Sequence, residues 1–304
     1  MQIGLTEEPS FDGQLRKAAM EWLDQKEGRL VTRAELAEFH FNGERIPLID
    51  RGRGIRKPAS LDAALSMSTT FTKPGAEPPY ADAEGPDGLL RYKYQGDDPE
   101  ALDNIALRRC FEQGLPLIWF VAIEPSKFLA RYPVYLIRDE PLQLQFTVAL
   151  DAAQRHLPRG DNADEDTRAY ATHLSRLRLH QPVFRARVLE AYKHQCAVCR
   201  LQHTELLDAA HILSDLHPNG KPVVPNGLAL CKIHHAAYDQ NIIGIRPDLV
   251  VAVRPDILVE IDGPMLRHGI QEMAGTRLSV PNQRAARPDT ERLDERYSAF
   301  LAAS

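Results

Sequence analysis

The stretch from residue 194 to 240 concentrates the side chains of this chain that could bind a metal ion. It contains three of the four cysteines and six of the eleven histidines. Cys196 and Cys199 form a CxxC pair, and Cys231 and His234 form a CxxH pair. Tetrahedral zinc takes four ligands of these types, at about 2.3 Å from sulfur and about 2.0–2.1 Å from nitrogen. We therefore predict that the two pairs hold a structural Zn²⁺ with no coordination position left open.

Four further polar residues in this stretch are not needed for that zinc site. His211 lies in the apolar segment LLDAAHIL, which predicts a β-strand. Asn226 lies in VPNGLAL, where Pro-Asn-Gly predicts a turn before a helix. His235 and Asp239 are four residues apart, which places them on one face of that helix. These residues could form a second site, with an ordinary core histidine as the alternative interpretation of His211.

The order of the motifs CAVC, AAHI, NGLALC and HHAAYD resembles the HNH, or ββα-metal, nuclease family in its zinc-braced form. The resemblance covers about residues 181–250. It implies that His211 is the general base that activates water, and that Asn226 braces the loop that orients this base. It also implies that His235 binds a catalytic Mg²⁺ or Mn²⁺, with Asp239 as a second ligand.

One position departs from the family pattern. Many members have Asp or His immediately before the base histidine as a metal ligand, whereas this chain has Ala210. Asp208 is the nearest carboxylate and is a further candidate ligand of the catalytic ion. The departure leaves two hypotheses open, an active nuclease and a non-catalytic, zinc-stapled nucleic-acid-binding protein with a vestigial nuclease site.

The patterning of the whole chain indicates an α+β protein. Thr32 and Glu35 form a capping-box pattern in a helical N-terminal segment, and short apolar runs between Gly and Pro residues then indicate a β-rich domain with one helix. After the metal-binding stretch, two more strands are expected. The predicted segments are an N-terminal helical segment at 1–43, the β-rich domain at 44–152, a linker helix at 153–180, the nuclease domain at 181–270 and a C-terminal tail at 271–304.

The β-rich domain resembles the SRA (YDG) branch of the PUA-like folds, which read modified cytosine. The motifs are an aromatic and acidic stretch at 80–82, YQG at 94–96, and DNIAL at 103–107 before a helix. The resemblance implies a pocket that holds a flipped base between aromatic rings, with an ordinary aromatic core as the alternative. The candidate base-reading residues are Tyr80, Asp82, Tyr92, Tyr94 and Trp119.

The sequence RGRGIRKP in the same domain combines flexible glycines with four cations. Such a loop suits contacts with phosphate groups, although simple solvation of the charges explains it equally well. The candidate DNA-binding cations are Arg51, Arg53, Arg56 and Lys57.

The composition of the chain limits which functions and cellular locations are consistent with these hypotheses. The formal net charge of -5 argues against a protein that coats nucleic acid without specificity. No apolar run approaches the roughly 20 residues of a membrane-spanning helix, and the N-terminus lacks the features of a secretion signal, so we expect a cytoplasmic protein without membrane partners. In a reducing compartment clustered cysteines favour metal binding over disulfides, and the isolated Cys110 is expected to be a core thiol.

The function that these features predict is metal-dependent hydrolysis of DNA phosphodiester bonds. We expect the protein to restrict foreign double-stranded DNA, with or without modified cytosine. A homing or mobile-element nuclease is a second enzymatic hypothesis. Cleavage of both strands by a single-site nuclease would favour a homodimer, but no heptad pattern or apolar surface in the sequence identifies an interface.

Overall fold

The computed structural model describes residues 10–26, 30–71, 85, 87–156, 165–175 and 179–303. The chain divides into two compact units, unit 1 with Met1–Thr72 and Glu77–His180, and unit 2 with Lys73–Ala76 and Gln181–Ser304. Two candidate base-reading residues, Tyr80 and Asp82, lie outside the described residues. All candidate zinc ligands and nuclease residues belong to unit 2.

Unit 1 combines helices with one large sheet. Its described helices are α1 Phe11–Asp24, α2 Arg33–Ala37, α3 Leu102–Gln113 and α4 Glu165–Ser175. Its described strands are β1 Val31–Thr32, β2 His40–Phe41, β3 Glu44–Arg45, β4 Ile55–Arg56, β5 Ser66–Ser68, β6 Leu90–Lys93, β7 Leu117–Glu124, β8 Lys127–Glu140 and β9 Gln145–Ala149. Seven of these form a sheet in the order β4-β5-β7-β8-β9-β6, with β1 pairing to β8, and β2 and β3 form a separate hairpin.

The large sheet is curled. Strand β8 is 14 residues long, and it pairs with β1 and β7 through its first part and with β9 through its second part. The hydroxyl of Tyr92 in β6 lies 3.2 Å from the carbonyl oxygen of Gly54 and 3.1 Å from that of Ser68. Gly54 directly precedes β4 and Ser68 is the last residue of β5, at the opposite end of the strand order, so the two ends of the sheet approach each other.

The N-terminal helices pack into the same core as this sheet. Thr32 and Glu35 form the expected capping box, with Glu35 N donating to Thr32 Oγ1 at 3.2 Å and Thr32 N donating to Glu35 Oε2 at 2.9 Å. Leu15 of α1 and Leu36 of α2 join a buried cluster with Phe120 of β7. The predicted core thiol Cys110 is fully buried, and burial raises its pKa to about 11.

Unit 2 is built from two hairpins and several helices. Its described elements are α5 Gln181–Ala191, β10 Leu207–His211, β11 Gly227–Cys231, α6 Lys232–Asp239, β12 Ile243–Ile245, β13 Val251–Val253, α7 Pro255–Val259, α8 Pro264–Gly269 and α9 Thr290–Ala302. Strands β10 and β11 pair antiparallel, and β12 and β13 do the same. The C-terminal helix α9 packs onto this unit through buried Leu293 and Phe300.

The structure corrects one local prediction and confirms two others. We expected the Pro-Asn-Gly turn to lead directly into a helix, and this is wrong because β11 intervenes. Its five residues form an unbroken apolar run, all of them buried against neighbouring elements, and the helix begins only at Lys232. The predicted strand at His211 and the predicted pair of strands after the metal-binding stretch are present as β10, β12 and β13.

Mixed helices and strands confirm the α+β class. In the part of the chain that the structure describes, no helix combines the length and the apolar character that crossing a bilayer requires.

Candidate functional site

The candidate nuclease residues come together where β10, β11 and α6 meet. In the antiparallel pair, His211 at the end of β10 lies opposite Gly227, and Leu207 at its start lies opposite Cys231. Helix α6 begins directly after Cys231 and contacts both strands. A strand, a returning strand and a helix therefore place side chains from three parts of the sequence around one site.

His211 is held as a neutral ring. It stacks on Phe184 of α5, with ring centroids 4.0 Å apart and an interplanar angle of 14°. Burial lowers the pKa of His211, and the opposing charges of Asp215 and Asp239 only partly offset this effect. A lowered pKa leaves the imidazole unprotonated at neutral pH, as a proton acceptor must be.

A glycine opposite His211 permits this stacking. A Cβ atom on Gly227 would lie 2.4 Å from Cγ2 of Val188 and 2.9 Å from Cζ of Phe184. Both side chains belong to α5, so a larger residue at position 227 would push this helix away from the hairpin. Our sequence reasoning did not identify Phe184 or Gly227 as part of the site. The NG dipeptide was the available signal for the glycine, whereas Phe184 shows only the apolar periodicity of a helix.

Asn226 ties together the loop that follows His211. Its side chain is fully buried, and Nδ2 donates to the carbonyl oxygens of Leu213 at 2.9 Å and Lys221 at 3.2 Å. Its Oδ1 accepts the backbone N–H of Leu213 at 2.9 Å. Its carbonyl oxygen accepts the N–H of Ile212, also at 2.9 Å. These four hydrogen bonds join the start of the loop to its end immediately beside His211.

His235 lies between two carboxylates on α6 and β10. Its Nε2 atom is 3.4 Å from Oδ2 of Asp239, and its Nδ1 atom is 3.7 Å from Oδ2 of Asp208. The two carboxylates therefore contact opposite nitrogens of the same ring. The hydrogen bond that His235 donates to Asp208 is the main cause that raises the pKa of His235.

Asp208 is surrounded by cations. Its Oδ2 accepts a hydrogen bond from Lys232 Nζ at 2.9 Å, and Nε of Arg185 lies 3.4 Å from its Oδ1. Burial acts to raise its pKa, but the hydrogen bonds from His235 and Lys232 outweigh burial and hold the pKa below its usual range. Asp208 is therefore a carboxylate whose charge is already shared among three neighbouring groups.

The four predicted zinc ligands form one compact cluster. Their ligand atoms all lie within 4.8 Å of one another. In the described part of the chain, no other group of three or more His, Cys, Asp or Glu residues brings its ligand atoms as close together. The distance from Cys199 Sγ to Cys231 Sγ is 3.9 Å, and that from Cys196 Sγ to His234 Nδ1 is 3.6 Å. The distance from Cys231 Sγ to His234 Nδ1 is 3.1 Å. A tetrahedral zinc separates its ligands by about 3.5–3.8 Å, so the donor set fits this ion and the ligand atoms lie within about 1 Å of the spacing that it requires.

The orientation of His234 suits a metal ligand. Its Nε2 atom donates to the carbonyl oxygen of Gly269 at 2.7 Å, which leaves Nδ1 with its lone pair directed at the cysteine sulfurs. The side chain is 2% exposed, and Cys196 and Cys231 are buried beside it in the core of unit 2. Gly269 ends α8 and is 35 residues from His234, so no local pattern could have identified it.

The aromatic candidates in unit 1 lie in its interior. Tyr94 is 3% exposed, its hydroxyl hydrogen-bonds to Asp139, and burial is the main cause that raises its pKa to about 12. Trp119 is 1% exposed and packs edge-to-face with Tyr92 at a centroid distance of 5.9 Å. Tyr94 packs against Phe146, with ring centroids 4.8 Å apart, so in the described structure none of these three candidate rings presents an open face for a base.

The four cations of RGRGIRKP lie at the surface but differ in their partners. Arg51 and Arg53 are exposed, and Nη1 of Arg53 is 3.5 Å from Asp103. Nε of Arg56 donates to the carbonyl oxygen of Pro47, and Nζ of Lys57 donates to that of Leu61, both at 2.9 Å. The loop therefore does not direct all four cations to one ligand.

Comparison with known proteins agrees with the geometry of unit 2. Residues 196–246 match a family model described as HNH endonuclease, so this unit carries an HNH endonuclease domain. The matched segment begins at the first zinc ligand and extends past α6 into β12.

Two solved structures resemble larger parts of the chain. A modification-dependent TagI restriction endonuclease is 16% identical, with 82% of this chain and 85% of that chain covered and a TM-score of 0.28. A Type IV phosphorothioation-dependent restriction endonuclease, ScoMcrA, is also 16% identical, with 61% of this chain and 50% of that chain covered and a TM-score of 0.22. No curated protein matches the chain.

Proposed function

We propose that this protein is a metal-dependent DNA endonuclease whose active site lies at the junction of β10, β11 and α6. The observation that carries the proposal is the placement of neutral His211 beside the His235–Asp239 pair within one HNH domain. A proton acceptor and two metal-ligating side chains are the groups that hydrolysis of a phosphodiester requires. The buried brace made by Asn226 holds the loop next to the base, which supports the same assignment.

In the proposed reaction His211 accepts a proton from the attacking water. Its stacking on Phe184 fixes the plane of the ring, and its lowered pKa keeps it available as a base. The separation of 3.4 Å between His235 Nε2 and Asp239 Oδ2 fits a shared Mg²⁺ or Mn²⁺, since adjacent ligands of an octahedral ion lie about 3 Å apart. An ion bound there supplies a Lewis acid for the phosphate and the leaving 3′ oxygen.

We propose that Asp208 has a different role from Asp239. Because it contacts Nδ1 of His235, it lies on the far side of the ring from Asp239. A carboxylate in that position accepts the Nδ1 proton and directs the Nε2 lone pair toward a metal. Asp208 would then orient the ligand His235, whereas the sequence interpretation made it a direct ligand in place of Ala210.

Two substitutions distinguish the proposed roles of Asp208 and Asp239. We expect Asp239→Asn to weaken Mn²⁺ binding to the catalytic site because it removes a ligand charge. We expect Asp208→Asn to lower metal affinity or cleavage by about 10–100-fold, the usual effect of losing a carboxylate that orients a ligating histidine. Asp248→Asn is the matched control, since Asp248 pairs with Arg246 at an exposed surface of the same unit.

The readout is binding of Mn²⁺ by the zinc-loaded protein, measured together with the metal dependence of plasmid nicking. Wild-type Mn²⁺ affinity in both Asp208→Asn and Asp239→Asn would contradict the proposed metal site, whatever the effect on cleavage.

For the cluster of cysteines and His234 we propose a structural Zn²⁺. The close grouping of the four ligand atoms, all within 4.8 Å of one another, and the hydrogen bond from His234 to Gly269 support this assignment. A closed site of this kind braces the domain and leaves no position for substrate.

We further propose that the substrate is foreign double-stranded DNA, with modified cytosine as the feature that unit 1 reads. The supporting observations are the curled sheet of unit 1 and the motifs that resemble SRA and PUA-like readers. Tyr94 and Trp119 pack in the interior, whereas Tyr80 and Asp82 stay candidates from the sequence motif alone.

Cleavage of matched DNAs tests this specificity. The substrates would be one sequence carrying cytosine, 5-methylcytosine, 5-hydroxymethylcytosine or its glucosylated form, each incubated with Mg²⁺ or Mn²⁺. We expect cleavage of at least one modified DNA to exceed that of the unmodified DNA by tenfold or more. Equal cleavage of all four would contradict the proposed reading of modified cytosine. Cutting at one long unmodified site would instead favour a homing or mobile-element nuclease.

A further inference from the structure

A concave surface of unit 1, distant in sequence from the candidate base-reading motifs, collects an excess of positive charge. It encloses a pocket of about 900 Å³ between α2, β1, the start of β8 and the segment from Arg45 to Arg56. Its lining contains one carboxylate, that of Asp50. The cations that line it are Arg33, Arg45, Arg51, Arg56 and Lys127. In a chain whose formal net charge is -5, this concentration marks a surface suited to an anion.

Two of these cations are held in place by neutral acceptors. Nη1 of Arg33 donates to the carbonyl oxygen of Asp50, and its guanidinium carbon lies 5.1 Å from the ring centroid of Phe128. Nε of Arg56 donates to the carbonyl oxygen of Pro47 at 2.9 Å. A hydrogen bond to a carbonyl fixes a guanidinium without cancelling its charge. Both side chains are therefore preorganised and keep their charge for a ligand.

The acidic groups near the pocket offset only part of this charge. Oδ1 of Asp50 accepts the backbone N–H groups of Gly52 at 3.0 Å and Arg53 at 3.2 Å, so this carboxylate is engaged in shaping its own loop. Arg45 pairs with Glu38 at 3.1 Å, where both side chains are more than half exposed, and Lys127 pairs with Glu124 at 3.0 Å, where both are more than a third exposed. Pairs of this kind contribute little and exchange readily with another anion in solution.

The rest of the lining is largely apolar. Ala34, Ala37, Pro47 and Ile49 belong to it, together with Pro125 before β8. An anionic ligand that also carries uncharged carbon surface suits such a lining better than a small inorganic ion does. A volume of about 900 Å³ also lies near the upper end of ordinary ligand pockets, which leaves room for more than one phosphate with its sugar.

We propose that this pocket binds phosphate groups of the DNA backbone and so positions the substrate on unit 1. The inference rests on the proposed function, because it takes DNA as the ligand. It also changes the interpretation of RGRGIRKP. Arg51 and Arg56 act together with Arg33, Arg45 and Lys127 from other elements, while Arg53 and Lys57 do not line the pocket.

The test compares two double variants that remove the same charge. Arg45→Gln/Arg51→Gln removes two exposed cations of the pocket. Lys17→Gln/Arg109→Gln is the matched control, because both residues are exposed, pair with a surface carboxylate at 3.7 Å, and lie outside the pocket. Both pairs of substitutions are made in full-length His211→Ala protein so that DNA binding is measured without cleavage. The salt dependence of affinity for a short duplex is then measured.

We expect the pocket variant to reduce the slope of log affinity against log salt by about 2, since each lost phosphate contact removes about 0.9. Affinity near 0.1 M salt should fall about tenfold or more, and the control variant should keep the wild-type slope. If the Arg45→Gln/Arg51→Gln variant shows the same salt slope as the control variant, the inference is overturned, even where the wild type cleaves DNA normally.

Two further measurements distinguish DNA from free phosphate compounds as the ligand, and the proposed function from the proposed pocket. If inorganic phosphate or a mononucleotide binds the wild type but not the pocket variant, while both bind DNA alike, the pocket takes free phosphate compounds and the DNA assignment is wrong. Failure of the His211→Ala protein to bind any duplex, and of the wild type to cleave any, would remove the proposed function together with this inference. Normal cleavage with an unchanged slope would remove the inference alone.

Discussion

Replacing His211 with alanine is expected to lower the rate of DNA cleavage by about 10²–10⁴-fold, the usual contribution of a positioned general base. The side chain is only partly buried, and its main contact is the stacked ring of Phe184. Its loss removes the proton acceptor but neither the zinc cluster nor the hairpin that carries the site. Nicking of supercoiled plasmid in Mg²⁺ or Mn²⁺ measures the rate, and a thermal melt shows whether unit 2 stays folded.

His203→Ala is the matched control for this substitution. His203 belongs to the same unit and is exposed ahead of β10, so its loss should leave the nicking rate unchanged. Equal nicking by the wild type and the His211→Ala protein would remove His211 from the reaction. If the wild type cleaves neither plain nor modified DNA but still binds it, the non-catalytic, zinc-stapled binding protein becomes the better description.

Replacing Cys196 with serine is expected to unfold unit 2. The cysteine is fully buried in the core of that unit, where its sulfur lies 3.6 Å from His234 Nδ1. Structural zinc in small domains contributes about 10–16 kcal/mol of apparent binding free energy, which equals or exceeds the roughly 5–15 kcal/mol that stabilises a folded domain. The domain should therefore not keep its fold when a ligand is lost.

Zinc content per chain, a thermal unfolding curve and limited proteolysis together check this expectation. Cys196→Ser protein should contain less than one zinc per chain and should be cleaved rapidly within unit 2. Cys110→Ala is the control, because Cys110 is equally buried but belongs to unit 1, whereas the cluster belongs to unit 2. A metal-free Cys196→Ser protein as stable as the wild type would show that the cluster is not a structural zinc site.

Residue types and short spacings were sufficient to predict the composition of the candidate sites. Two closely spaced pairs of ligands define a tetrahedral donor set wherever the chain brings them together, and His235 and Asp239 are neighbours because one helical turn separates them. The strand at His211 was also predictable, because an apolar run of that length favours β-structure. All of these features depend on geometry within a few residues.

The partners of these residues depend on the tertiary structure. Phe184 reaches His211 from a helix 27 residues earlier in the chain only because Gly227 lacks a side chain. The pattern around Asp208 and Asp239 made both of them candidate metal ligands. Packing of β10 against α6 places them at opposite nitrogens of His235, which gives them different proposed parts.

The aromatic residues of unit 1 show the same limit. Strand alternation placed Tyr92 and Tyr94 on one side of the chain but could not tell whether that side faces the interior or a ligand. The curling of the sheet decides it, because it brings the ends of the sheet together and encloses Tyr92 with Trp119. The cationic pocket was equally hidden, since its five cations come from three separate segments of the chain. Local sequence thus specifies which groups are available and how near neighbours are spaced, whereas long-range packing decides which groups meet and which remain open to a ligand.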